Sequence, residues 1–305
     1  MGGLPLNNEI LNNPHADRVR KIAGLESKSQ RERSGRVLIE GPQSVREAIR
    51  WRPDAITDLY VQMSGDDLQP ANQTLAEIYR EALDNPRAGQ QGGLYIHGAT
   101  AQVMRQISGD CQGIAAIGLT ERMQDDPEDL DWSDHPMVAA FWQVRDPGNA
   151  GTVIRAADAA GCDAVIFVDD SVDRCNPKVV RATAGSLFHV PVLTMTTEVV
   201  LAGCAEQHST LVAADVHGPP SRPPEQLPSL LGERGHMLEH SLQDSARLLT
   251  VLFGNEARGL PTGLVERADR VVAITIYGKA ESLNLATSAA VMLMSLAMSS
   301  HIGKM

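Results

Sequence analysis

Residues 137–155 read MVAAFWQVRDPGNAGTVIR. The run up to Val144 is almost wholly apolar, the pattern of a strand covered on both faces. RDPGNAG then predicts a tight loop, and TVIRAADAAG predicts a helix stopped by Gly161. A glycine-rich turn between a strand and a helix lets backbone approach a ligand, and the helix N-terminus favours an anion. Arg155 follows Asn149 by six residues and offers a fork of donors suited to phosphate. An ordinary strand-to-helix turn with a surface arginine is the competing reading. The loop has no GxGxxG, which speaks against a nicotinamide site.

Outward from this stretch, further strands are expected at 163–168, 191–194, 209–215, 248–254 and 270–276. Asn176 and Pro177 open a helix as cap and first-turn proline, and a long helix covers 284–300. Strands alternating with helices imply an α/β fold with a mostly parallel sheet. Upstream, the acidic, proline-punctuated TERMQDDPEDLDWSDHP (120–136) has the composition of a linker. The expected organisation is a smaller α/β domain over 1–120, a linker over 121–136 and a second domain over 137–305. In the first domain, helices are expected at 17–25, 44–51 and 99–109, with strands at 36–41, 56–62 and 93–98. HGPPSRPPEQLPS (217–229) is expected to be a surface insertion.

The net charge of −11 over 305 residues is unevenly spread. Residues 1–52 carry 10 Lys/Arg against 6 Asp/Glu, residues 53–136 carry 4 against 15, and residues 137–305 carry 13 against 17. Local basic surface, rather than whole-chain charge, attracts phosphate. Arg18, Lys21, Arg31 and Arg33 are therefore candidate nucleic-acid contacts, with a solvated helix face as the competing reading. No apolar run approaches the roughly 18 residues a membrane helix needs. Four scattered cysteines without a CxxC pair, and a first segment unlike a signal peptide, point to the cytoplasm. His236 and His240 have i, i+4 spacing but no third ligand or HExxH, so no metal site is expected.

Two more segments carry chemistry. In LFGNEARGL (252–260) an apolar strand ends in a small, glycine-flanked loop, the place where open α/β folds bind ligands. Glu256 in that loop is either a solvated carboxylate or a site residue. In ITIYGKAESLNL (274–285) a strand runs into a glycine-containing loop before the last helix. Ser282 and Asn284 there are helix caps by default.

Together and in order, Asn149 to Arg155, Phe253 to Leu260 and Gly278 to Asn284 resemble the N-x-G-x-x-x-R, F-G-N-E-x-x-G-L and G-x-x-x-S-L-N motifs of the SpoU/TrmH family of RNA ribose methyltransferases. NPKVVRATAGSLFHVPV (176–192) is similar to the family as well, and residues 15–49 resemble its ribosomal-protein-like RNA-binding domain. One departure is Thr275, where the third motif usually has proline.

The resemblance implies a trefoil-knotted C-terminal domain, an exception to the rule against knots. It implies a homodimer that binds S-adenosylmethionine and methylates a ribose 2′-hydroxyl of ribosomal or transfer RNA. Gly254, Ile274, Ile276 and Leu283 then fall on cofactor-binding positions. Asn149, Arg155, Glu256, Ser282 and Asn284 fall on catalytic or site-forming ones. A catalytically degenerate RNA-binding protein of the same fold, and a nucleotide-dependent oxidoreductase, are the alternatives.

Overall fold

The computed structural model describes residues 10–65, 69–86, 93–231 and 248–300. His236 and His240 lie outside them. The chain divides into two compact units, one of Met1–Gln124 with Asp173–His189, the other of Asp125–Val172 with Val190–Met305. The segment Asp173–His189 thus leaves the C-terminal part of the sequence and folds into the first unit.

The first unit is built on a four-stranded sheet: β1 (Arg36–Glu40), β2 (Ile56–Gln62), β3 (Tyr95–Ala99) and β4 (Ile114–Leu119), in the order β1-β4-β2-β3. β4 runs antiparallel to both neighbours, while β2 and β3 are parallel. Its helices are α1 (Asp17–Ala23), α2 (Lys28–Ser34), α3 (Pro42–Trp51), α4 (Gln73–Leu83), α5 (Ala101–Ile107) and α7 (Pro177–Ala182), with α6 (Pro147–Ala159) belonging to the second unit. Val19, Ile22 and Leu25 pack with Leu38, Tyr60 and Val103 in one apolar cluster.

Charged pairs hold Asp173–His189 in this unit. Arg31 reaches Asp173 through Nε at 3.0 Å, and Arg181 binds both Glu40, which is buried, and Asp110. Gly185, at φ +105°, lies so close to Glu47 that a Cβ would fall 2.4 Å from its Cγ. Only glycine fits that approach.

The second unit contains a seven-stranded sheet in which every pairing is parallel. Its strands are β5 (Met137–Trp142), β6 (Ala164–Val168), β7 (Val192–Met195), β8 (Thr210–Ala214), β9 (Glu225–Gln226), β10 (Leu249–Phe253) and β11 (Arg270–Ala273). Their order is β7-β6-β5-β10-β8-β11-β9. β6 and β10 are buried along their whole length, which is why their sequences are unbroken apolar runs. The helices here are α6 (Pro147–Ala159), α8 (Thr197–Glu206), α9 (Thr262–Val265) and α10 (Leu285–Ser300), with α10 packed against α6.

Two expectations change. RDPGNAG is not a free loop, because α6 already begins at Pro147. Asp146 accepts a hydrogen bond from the Asn149 amide at 2.8 Å, and Pro147 supplies the helical φ at the first position. The proline-rich stretch 217–229 also proves to be more than a surface insertion. Its β9 pairs with β11, and Arg270 fixes Glu225 with Nε to Oε1 at 3.0 Å, so the segment covers what would be a bare sheet edge.

Candidate functional site

The C-terminal ends of β8, β10 and β11 lie side by side, and a cavity of about 490 Å³ opens there. It lies where parallel α/β sheets place ligands, and its size is ordinary for a small-molecule site. Gly254, Glu256, Ile274, Ile276, Ser282 and Leu283, all expected at the site, line it.

The loop after β10 closes on itself. Asn255 and Gly259 exchange backbone hydrogen bonds at 3.2 and 2.9 Å. A Cβ on Gly254 would lie 2.4 Å from the Gly259 carbonyl carbon and 2.5 Å from the Leu260 nitrogen, both rigid backbone. Glycine at 254 is therefore a steric requirement of the loop. Asn255 is buried, accepts from the Ala257 amide and donates to the Gln143 carbonyl at 2.7 Å. Gln143, just after β5, has φ +50°, a conformation few side-chain-bearing residues adopt. Its carbonyl and its side chain, which accepts from Arg258 at 2.6 Å, both anchor this loop. Gln143 and Asn255 lie outside the residues expected from sequence; the asparagine within FGNE, set between an apolar run and a glycine-flanked loop, is the signal that marks Asn255.

Asn149 is the hub of the three segments. Its Nδ2 donates to Glu256 Oε1 at 3.1 Å, and its Oδ1 accepts from Asn284 Nδ2 at 3.0 Å. Asn284 meanwhile caps α10, its Oδ1 accepting from the Ala286 amide at 2.9 Å. Capping and site formation use opposite ends of one amide. Arg155 stands apart, exposed on α6, and among the described residues it makes no hydrogen bond or ion pair. Asn149, Arg155 and Asn284 do not line the cavity.

The four basic candidates of the first unit differ. Arg31 is only 3% exposed and spends its guanidinium on Asp173 and on the Leu25 and Glu26 carbonyls. It is a structural residue, which corrects its reading as a phosphate contact: a buried, fully engaged guanidinium cannot reach RNA. Arg18 is bonded to Tyr60 and Asp58, each at 2.8 Å, although part of it faces solvent. Lys21 and Arg33 are exposed.

The 23S rRNA (guanosine(2553)-2′-O)-methyltransferase RlmP of Bacillus subtilis is 34% identical over 157 residues, 49% of this chain and 53% of that protein. The chain thus spans about half the length of that relative. The 23S rRNA (guanosine-2′-O-)-methyltransferase RlmB of Neisseria meningitidis is 25% identical over 84% of this chain and 92% of its own. The fold is shared with an AdoMet-bound rRNA methyltransferase from Sinorhizobium meliloti, at a TM-score of 0.73 and 23% identity, covering 96% of this chain and 98% of that one. With residues 136–294 matching the SpoU rRNA Methylase family, over the same strands and loops that build the cavity, the chain belongs to that family.

Proposed function

We propose that this protein is an S-adenosylmethionine-dependent methyltransferase acting on a ribose 2′-hydroxyl of RNA. The observation that carries the reading is the hydrogen-bonded chain Asn284–Asn149–Glu256, which joins all three motif segments beside one cavity. The walls suit the cofactor: Ile274, Ile276 and Leu283 offer apolar surface, and the strand-end loops offer backbone groups. The cofactor, when bound, supplies a methyl group on a positively charged sulfur.

The chain's own task is to hold and activate the ribose. In-line displacement would need the 2′-oxygen at about 3–3.5 Å from the carbon it attacks, with the methyl group leaving its sulfur and the hydroxyl proton passing to water. Arg155 binds the neighbouring phosphate and stabilises the charge that develops on the 2′-oxygen. A guanidinium stays protonated and so makes a poor base. Asn149, Ser282 and Asn284 orient the reacting groups, with Glu256 fixing the Asn149 amide.

A homodimer completes the site. Val291 and Met298 are large apolar side chains exposed on α10, beside the helix that carries Arg155. Covering that face with a second copy brings Arg155 to the partner's cavity. The trefoil knot belongs to the same proposal, as does an RNA-binding role for the first unit through Lys21 and Arg33. Both would operate in the cytoplasm. Among the described residues no helix is long and apolar enough to cross a membrane.

The substrate class we favour is ribosomal RNA, in line with the relatives' activities. The test is methyl transfer from labelled donor to ribosomal and transfer RNA, with 2′-O-methylation mapped in cells with and without the gene. A missing 2′-O-methyl in ribosomal RNA is expected. Donor uptake with no transfer to either RNA would favour the degenerate RNA-binding reading instead.

A further inference from the structure

Asp215 follows β8 directly and lines the cavity, yet none of the three motifs contains it. Its amide donates to the Val272 carbonyl at 3.1 Å, so its backbone is tied to β11. Oδ1 accepts from the His217 amide at 2.6 Å, which fixes the side-chain rotamer. Oδ2 has no hydrogen-bond donor among the described residues. It lies on the side of Gly259, 3.6 Å from where a Cβ there would be.

The carboxylate is largely sheltered, its side chain 13% exposed, and the exposed His217 ring stands with Nδ1 3.9 Å from Oδ1. Oδ2 is not among the fully buried atoms, so in the open cavity it is free to take a donor from a ligand in place of water. Val216, Val265, Val272 and Leu260 give the cavity apolar surface, within a wall that also carries polar side chains. Apolar side chains beside a placed acceptor suit an aromatic base carrying a hydroxylated sugar.

Strand order decides which end of the cofactor this is. Asn149 follows β5, on one side of β10, whereas Asp215 follows β8, on the other. The methyl group must face the Asn149 side, so the nucleoside falls toward Asp215. Resting on the cofactor reading above, we propose that Asp215 is a cofactor-binding residue whose Oδ2 accepts hydrogen bonds from the ribose hydroxyls.

The test is calorimetry on the full chain with S-adenosylhomocysteine and its 2′-deoxy and 3′-deoxy analogues, using displacement titration for weak ligands. Wild-type protein is expected to lose about 10- to 100-fold in affinity for at least one deoxy analogue. Asp215→Ala should weaken S-adenosylhomocysteine by the same factor and no longer distinguish it from that analogue. Asp215→Ser keeps a short acceptor for the His217 amide but is too short to fill the Oδ2 position, and should behave like Asp215→Ala. Wild-type binding by Asp215→Ser would overturn the proposal, since Asp215 would then only shape the turn. So would retained discrimination in Asp215→Ala, or a loss beyond about 1,000-fold, more than one acceptor supplies. Absence of any uptake by the wild-type chain would strike the proposed function itself.

Discussion

Asn284 Nδ2 donates to Asn149 Oδ1 at 3.0 Å across 135 residues of sequence. Both side chains are reachable by water, where one neutral hydrogen bond contributes about 1 kcal/mol or less. An amide pair with so little to offer stability has its value in orientation. Asn149→Ala is expected to leave the melting temperature within about 2–4 °C of wild type while lowering kcat by about 100-fold or more. Differential scanning calorimetry beside a methyl-transfer assay checks both halves.

Arg155 has no protein partner among the described residues, so its removal exposes no buried charge. Arg155→Ala should keep the fold and bind S-adenosylhomocysteine within about 2-fold of wild type, yet lose turnover by about 100- to 1,000-fold. Titration calorimetry and single-turnover methylation separate the two effects. Methylation at the wild-type rate would remove Arg155 from the mechanism.

Gly254→Ala places a methyl group 2.4 Å from the Gly259 carbonyl carbon. Neither backbone can yield without breaking the paired hydrogen bonds of Asn255 and Gly259. The expected cost is about 1–3 kcal/mol of stability, with cofactor affinity reduced at least 10-fold. Urea denaturation and ligand titration measure them.

The basic residues of the first unit should divide by burial. Arg31→Ala strands Asp173 and two carbonyls, and should destabilise by about 3 kcal/mol or more. Lys21→Glu and Arg33→Glu should leave the melting temperature nearly unchanged and weaken RNA binding, with a shallower dependence on salt. Filter binding at several salt concentrations reads the slope.

Tyr60 should give the first unit an alkaline limit. Burial pushes its phenol up to about 12, repulsion from Asp58 adds to this, and Arg18 opposes it. A phenol in the unfolded chain titrates near pH 10. The folded form holds its proton more tightly, so this stability is complete below about pH 10 and is lost as pH rises through 12, by roughly 2–3 kcal/mol. Asp58 behaves oppositely. Burial raises its pKa, but bonds from His97 and Thr57 with the charge of Arg18 bring it below the ordinary carboxylate value. Its contribution is lost only under acid, as pH falls through that lowered value. Denaturant melts from about pH 9 to 12 should show a falling stability that Tyr60→Phe flattens.

Legibility followed locality. β5, β6 and β10 were readable because each is a continuous apolar run between turn residues. Of the helices outside the expected set, α2 and α8 have weak apolar periodicity and take their stability from packing, whereas α4 carries a clear apolar face of Leu75, Ile78 and Ala82 and an Asn72 cap, so its pattern was present in the sequence. RDPGNAG reads as loop because two glycines outweigh a good cap in any propensity count. The structure sides with the cap because Asp146 satisfies an amide that would otherwise be unpaired.

The sequence by itself determined the parallel α/β class, the three motif segments and the family, because those rest on side-chain period and on residue types at fixed spacing. Tertiary structure alone decided that Asn149 links Glu256 to Asn284, that Arg31 is buried while Arg33 is not, and that Asp215 joins the cavity. Those facts depend on contacts between residues far apart in the chain. A list of neighbours in sequence does not contain them: the side-by-side pairing of β5, β10, β8 and β11 brings the first and third about, and the Arg31–Asp173 contact the second.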